Sequence, residues 1–68
     1  MYYVYVIESI KNGDLYKGFT VNINKRLIEH NSGLTESTRK YRPWKLVYCE
    51  ILICKEDAVK REKYLKSS

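Results

Sequence analysis

The sequence predicts an α+β fold, a small three-stranded antiparallel sheet flanked by helices, with elements in the order β-β-α-β-α. Three observations predict it. Aromatic and β-branched residues alternate from Tyr2 to Glu8, and a second strand-like run returns after a glycine-bearing turn. A capped amphipathic segment follows between Asn22 and Gly33. A third apolar strand then leads into a charged helix that ends the chain.

Tyr2 to Glu8 places Tyr3, Tyr5 and Ile7 on one face and Tyr2, Val4 and Val6 on the other, which predicts a strand covered on both sides. Lys11-Asn12-Gly13-Asp14 is a turn, and Leu15 to Thr20 is the returning antiparallel strand. Asn22 or Thr20 caps a helix whose apolar stripe is Ile23 and Leu27. Arg26 and His30, at i and i+4, fall on one edge of that stripe, where the helix meets the sheet or the mouth of a cleft. Asn31-Ser32-Gly33 ends it. Leu34 to Trp44 is polar and basic, a loop or short helix ending at Tyr41 or Arg42 because Pro43 disfavours helix in the residue before it. Leu46 to Ile53 is the third strand. A last helix runs from about Glu56 to Lys66, its inner arc formed by Ala58, Leu65 and Val59 with Glu62 among them.

Sixty-eight residues predict one domain with a thin core. Thirteen basic against eight acidic residues give a net charge of +5. That charge suits a polyanion, nucleic acid before an anionic membrane surface. The longest apolar run, Ile51-Leu52-Ile53-Cys54, is far short of a span, and Met1-Tyr2-Tyr3-Val4 lacks a signal-peptide pattern. Cys49 and Cys54 sit at opposite-parity strand positions and are read as reduced thiols, which predicts a cytoplasmic protein. With His30 the one further soft ligand, a zinc site is not expected.

Several residues have the chemistry to cut a phosphodiester. A carboxylate can hold Mg²⁺ or Mn²⁺, hard cations that neutralise phosphoryl charge and the leaving oxygen. A guanidinium clamps phosphate, and Tyr and His carry or orient protons. Glu62, Arg26, Tyr5, Tyr16 and His30 offer these groups. A carboxylate on the inner arc of a helix is also costly unless paired. Taken singly, each has a plainer role: Tyr5 a core aromatic, Arg26 and His30 a helix edge, Gly18 a packing site, Glu62 an i, i+4 partner for Lys66.

Their order removes that independence, because it resembles the GIY-YIG endonuclease domain, above all its small stand-alone bacterial members. Tyr3-Val4-Tyr5 stands on the first motif and Tyr16-Lys17-Gly18 on the second. The run from Asn24 to Asn31 matches the helix with the family's arginine and its histidine-or-tyrosine position. Thr38-Arg39 and Arg42 to Tyr48 match the connector and third strand, and Ala58 to Lys66 the acidic helix. The resemblance implies a metal-dependent endonuclease acting on DNA at a branched, damaged or single-stranded feature. It implies that Glu62 ligates a single divalent metal, Mg²⁺ or Mn²⁺, and that Arg26 holds the scissile phosphate. Tyr5 would activate water, with Tyr16 and His30 assisting, and Gly18 would let the backbone pass close to the substrate. Lys17, Arg39, Lys40 and Arg42 would meet the nucleic acid. Tyr3 stands where the family has glycine and Lys17 where it has an aliphatic residue, so Lys17 is expected to face solvent or phosphate. Family members usually continue past the last helix with a basic segment and a further helix, which this chain is expected to lack. The apolar face so left would favour a homodimer. A non-catalytic nucleic-acid-binding module and a protein-interaction domain are the alternatives.

Overall fold

The structure, a computed structural model, describes residues 1–67. Strand β1 (Tyr2–Ser9) is central, with β2 (Leu15–Thr20) on one side and β3 (Trp44–Leu52) on the other, both antiparallel to it. Helices α1 (Ile23–Ser32) and α2 (Glu36–Arg39) lie between β2 and β3 in sequence, and α3 (Lys55–Lys66) follows β3. The predicted fold class is therefore the observed one, with α2 as an added single turn.

The alternation in β1 decides the layers. Tyr5 and Ile7 form a core with Trp44, against which Tyr16, Ile23 and Leu27 pack. Val4 and Val6 face the other way, and α3 packs against β1 and β2. All four residues from Val4 to Ile7 are buried, as expected of a strand covered on both sides. Two links tie α3 to that second face. Arg61 pairs with Glu50 of β3 at 2.7 Å, and Lys17 of β2 donates to the Leu65 carbonyl at 2.8 Å.

Local chemistry sets the ends of α1. The Asn22 side chain accepts from the Lys25 amide at 3.1 Å, and Gly33 closes the helix at φ 84°, where a side chain would be strained. The boundaries after it differ slightly from expectation. β3 starts at Trp44 because the ladder extends to the pair of Ser9 and Trp44, and α3 starts at Lys55 from an extended Cys54. The connector holds a short helix of one turn, ending at Arg39 rather than at Tyr41 or Arg42. In β3 the partner of Val6 is Tyr48 and that of Ile7 is Leu46, so Val47 is an extra, bulged residue. Leu46, Val47, Tyr48 and Ile51 remain exposed along this edge strand. Cys49 and Cys54 are free and exposed.

Candidate active site

The site is built where α1 crosses the hairpin. Tyr5 and Gly18 are directly opposed in the β1–β2 ladder, so the phenol lies over a residue with no side chain. A Cβ on Gly18 would stand 2.7 Å from the Tyr5 hydroxyl oxygen, 2.9 Å from its Cζ and 3.3 Å from Tyr16 Cε1. The space the glycine leaves is filled by the tyrosine itself. Its role here is room for Tyr5, since its backbone is ordinary strand. Gly18→Ala is expected to turn the Tyr5 ring out of register and cost about 1–3 kcal/mol, the usual penalty of overpacking. A thermal melt checks this: an unchanged melting temperature would show that the space is not needed.

The Tyr5 hydroxyl meets His30 Nε2 at 2.9 Å, and His30 Nδ1 meets the Thr38 hydroxyl at 2.8 Å. Thr38 donates its one hydroxyl proton to the Thr35 carbonyl at 3.4 Å. It therefore accepts from His30, which carries its proton on Nδ1. Nε2 is left to accept from Tyr5. Tyr5, His30 and Thr38 are all buried, with His30 at 0% exposure. Of the two places expected for its helix edge, His30 takes the one where the helix meets the sheet, rather than the mouth of a cleft. Tyr16 closes the cluster, its ring centroid 5.0 Å from that of His30 and 6.4 Å from that of Trp44.

Burial pushes the Tyr5 phenol above its ordinary pKa; the Arg26 guanidinium beside it pulls the other way, and Tyr16 and Glu62 add to the rise. Tyr5 is therefore a neutral phenol rather than a standing phenolate. Burial also holds His30 below its ordinary value, with Arg26 adding to the fall and Glu29 opposing it. The folded chain binds this proton less tightly than the unfolded chain. Stability from His30 is thus complete above the unfolded value near 6.5 and is lost as pH falls through the depressed folded value. Melts between pH 8 and pH 5 are expected to show stability falling with a slope of up to about 1.4 kcal/mol per pH unit for this one proton. A His30→Gln variant should lack that component; an equally steep profile in the variant would assign it elsewhere.

Arg26 is ion-paired with Glu29 at 3.0 Å, one turn before His30 and partly exposed. Glu62, on α3, is 19% exposed and meets Lys66 at 3.2 Å. The structure thus brings Tyr5, Tyr16, Gly18, Arg26 and His30 together, with Glu62 near enough for its charge to act on Tyr5. Of the predicted nucleic-acid contacts, Gly18 lies within this cluster. Lys17, expected to face solvent or phosphate, is half-buried with its ammonium on the Leu65 carbonyl, where the C-terminal end of α3 favours a cation. Arg39 donates to the Gly33 carbonyl at 3.0 Å, and the Arg42 guanidinium lies against Gly33. Lys40 is exposed beside them. These three cations gather at the far end of α1 from its capped start.

Sequence reasoning missed Thr38, Asn31 and Trp44 as parts of the site. Asn31 accepts from the Trp44 amide at 2.6 Å and donates to its carbonyl at 3.0 Å, while Trp44 Nε1 donates to the Thr38 carbonyl at 2.8 Å. A polar connector holds no periodicity to mark such residues. The Arg26–Glu29 pair was legible in principle from its i, i+3 spacing.

A buried tyrosine lies over a glycine, with an arginine and a buried histidine on the next helix and a carboxylate on the last one, in the order the sequence motifs gave. The profile of the GIY-YIG catalytic domain matches residues 1–68, and the chain belongs to the GIY-YIG family. Domains of this family typically use a divalent metal. Among curated relatives, a UPF0213 protein of Staphylococcus saprophyticus is 40% identical over 67 residues, covering 97% of this chain and 80% of the relative. A UPF0213 protein of Syntrophus aciditrophicus is 46% identical over 66 residues, covering 94% and 75%. The solution NMR structure of a UPF0213 protein from Bacillus halodurans superposes with a TM-score of 0.62 at 34% identity, over 100% of this chain and 73% of that one. Among the described residues, no helix is long and apolar enough to cross a membrane.

Proposed function

We propose that this protein is a metal-dependent endonuclease hydrolysing DNA phosphodiester bonds at branched, damaged or single-stranded features. The observation that carries the reading is the 2.9 Å contact between Tyr5 and a fully buried His30, beside Arg26 and within reach of the Glu62 charge.

Glu62 would hold a single Mg²⁺ or Mn²⁺. One partly exposed carboxylate fits a hard cation that keeps several waters, and among the described residues no three His, Cys, Asp or Glu converge into a protein cage. Bound there, the cation supplies positive charge to the phosphoryl and leaving oxygens. Lys66, now paired with Glu62, would have to give up that pair for Glu62 to hold the cation. Arg26 exchanges Glu29 for the scissile phosphate, a bidentate partner of the same sign. His30 keeps the Tyr5 proton turned inward, so the phenol oxygen presents a lone pair to the attacking water. As the water oxygen bonds to phosphorus and the bond from phosphorus to the leaving sugar oxygen breaks, the water proton goes to the Tyr5 oxygen and the Tyr5 proton to His30 Nε2, while the leaving oxygen takes its proton from solvent. The relay needs no phenolate, which agrees with the raised Tyr5 pKa. Tyr16 holds the His30 ring edge-on.

The existing Glu62–Lys66 pair favours a second reading, a nucleic-acid-binding module of the same fold that does not cut. Incubation with branched, gapped and duplex DNA in Mg²⁺ or Mn²⁺, with and without EDTA, separates the two. Cleavage that EDTA abolishes is expected; binding with no cleavage under any metal would replace the first reading with the second. A homodimer, if formed, would cover the exposed Leu46, Tyr48 and Ile51 of β3.

A further inference from the structure

Glu62 divides α3 into two unlike halves. On one side, Ala58 is buried and Leu65 partly so. On the other, at about 100° per residue, the next positions around the helix are Lys55, Lys66, Val59, Lys63, Glu56 and Lys60. The four lysines are exposed. Lys66 is paired with Glu62, whereas Lys55, Lys60 and Lys63 are in no ion pair among the described residues. The carboxylate among them, Glu56, accepts the Cys54 thiol proton at 2.7 Å, and its pKa is lowered chiefly by that bond. Lys55, Glu56, Val59, Lys60 and Lys63 line a shallow groove of about 460 Å³.

We propose that this lysine face of α3 is a docking surface for the phosphate backbone of a duplex arm, leading it to the carboxylate at its border. The proposal rests on the nuclease reading for the role of Glu62, and on charge complementarity for the occupant. Lys55 to Lys63 spans about 12 Å of helix axis, which is three to four base-pair rises of one strand. Cations on flexible stems held in no ion pair suit sequence-independent phosphate contacts, because they keep reach and lose little when they bind. The cations predicted from sequence meet this requirement less well. Lys17 and Arg39 already donate to backbone carbonyls, and Arg42 lies folded against Gly33. The face also explains why Glu62 carries a cationic neighbour: Lys66 belongs to the phosphate-binding row and can move to it.

The test measures duplex DNA binding in EDTA across a salt series for the parent chain, a Lys55→Gln/Lys60→Gln/Lys63→Gln variant, and an Arg39→Gln/Lys40→Gln/Arg42→Gln variant. Glutamine suits exposed helix positions, so the first variant should melt near the parent. Each lost phosphate contact removes about 0.9 from the slope of log affinity against log salt, so loss of all three should flatten it by two to three units. Affinity at physiological salt should fall tenfold or more, and the connector variant should retain most of the slope. An unchanged slope in the α3 variant, or the whole loss appearing in the connector variant, overturns the proposal. So does binding of the parent to anionic vesicles with no binding to duplex DNA even at low salt. Because binding is read without metal, a parent that binds but never cleaves refutes the nuclease reading and leaves the docking surface standing.

Discussion

Glu62→Ala is expected to lower metal-dependent cleavage by at least about a thousandfold while the fold survives. A metal that supplies about 4 kcal/mol or more of transition-state charge stabilisation corresponds to that factor in rate. In the proposed mechanism Glu62 holds the metal, and its replacement leaves no substitute on α3 at the same border. The structural cost is small by comparison. Its visible partner is Lys66, half exposed at 3.2 Å, and such an i, i+4 pair contributes well under 1 kcal/mol. Activity and melting temperature should therefore separate. Parent-like cleavage by the variant would remove Glu62 from the mechanism. A large drop in melting temperature would instead make Glu62 a structural residue.

Trp44→Ala is expected to have the largest effect on stability, about 3–5 kcal/mol. Trp44 is 5% exposed, belongs to the core with Tyr5 and Ile7, and bonds the Thr38 carbonyl through Nε1. Truncation opens a cavity under Tyr16 and leaves that carbonyl without its donor. A domain of this size has a total stability of about 3–10 kcal/mol, so the variant should lose about a third or more of it. Trp44→Phe keeps most of the volume and removes only the Nε1 donor, and should lose about 1–3 kcal/mol. Urea titrations of both variants measure the two contributions. Equal losses would mean that the hydrogen bond, not the packed ring, holds the connector in place.

These expectations connect stability to chemistry through one chain of contacts. Trp44 holds Thr38, Thr38 orients His30, and His30 fixes the tautomeric partner of the Tyr5 hydroxyl. A loss at Trp44 should thus reach the site even in molecules that remain folded. Gly18 acts on the same phenol from the opposite strand, by leaving it space.

Much of this was legible before any coordinates. Alternation in Tyr2 to Glu8 names a strand with two buried faces, because successive side chains point opposite ways. Gly33 names the end of α1 and its start was narrowed to Asn22 or Thr20, because capping depends on a few neighbouring residues; the structure selects Asn22. The spacing of Tyr5, Tyr16, Arg26, His30 and Glu62 placed the candidate set on the right elements. What it could not supply was depth and partnership. His30 lies at the edge of a helical stripe by sequence, yet is fully enclosed because Thr38 and Tyr5 arrive from distant segments. Lys17 has the composition of a phosphate contact, yet the packing of β2 against α3 brings its ammonium to a helix C-terminus. Local periodicity determined the elements and their faces. Only tertiary structure decided which charges were already satisfied, since that depends on contacts between residues far apart in the chain.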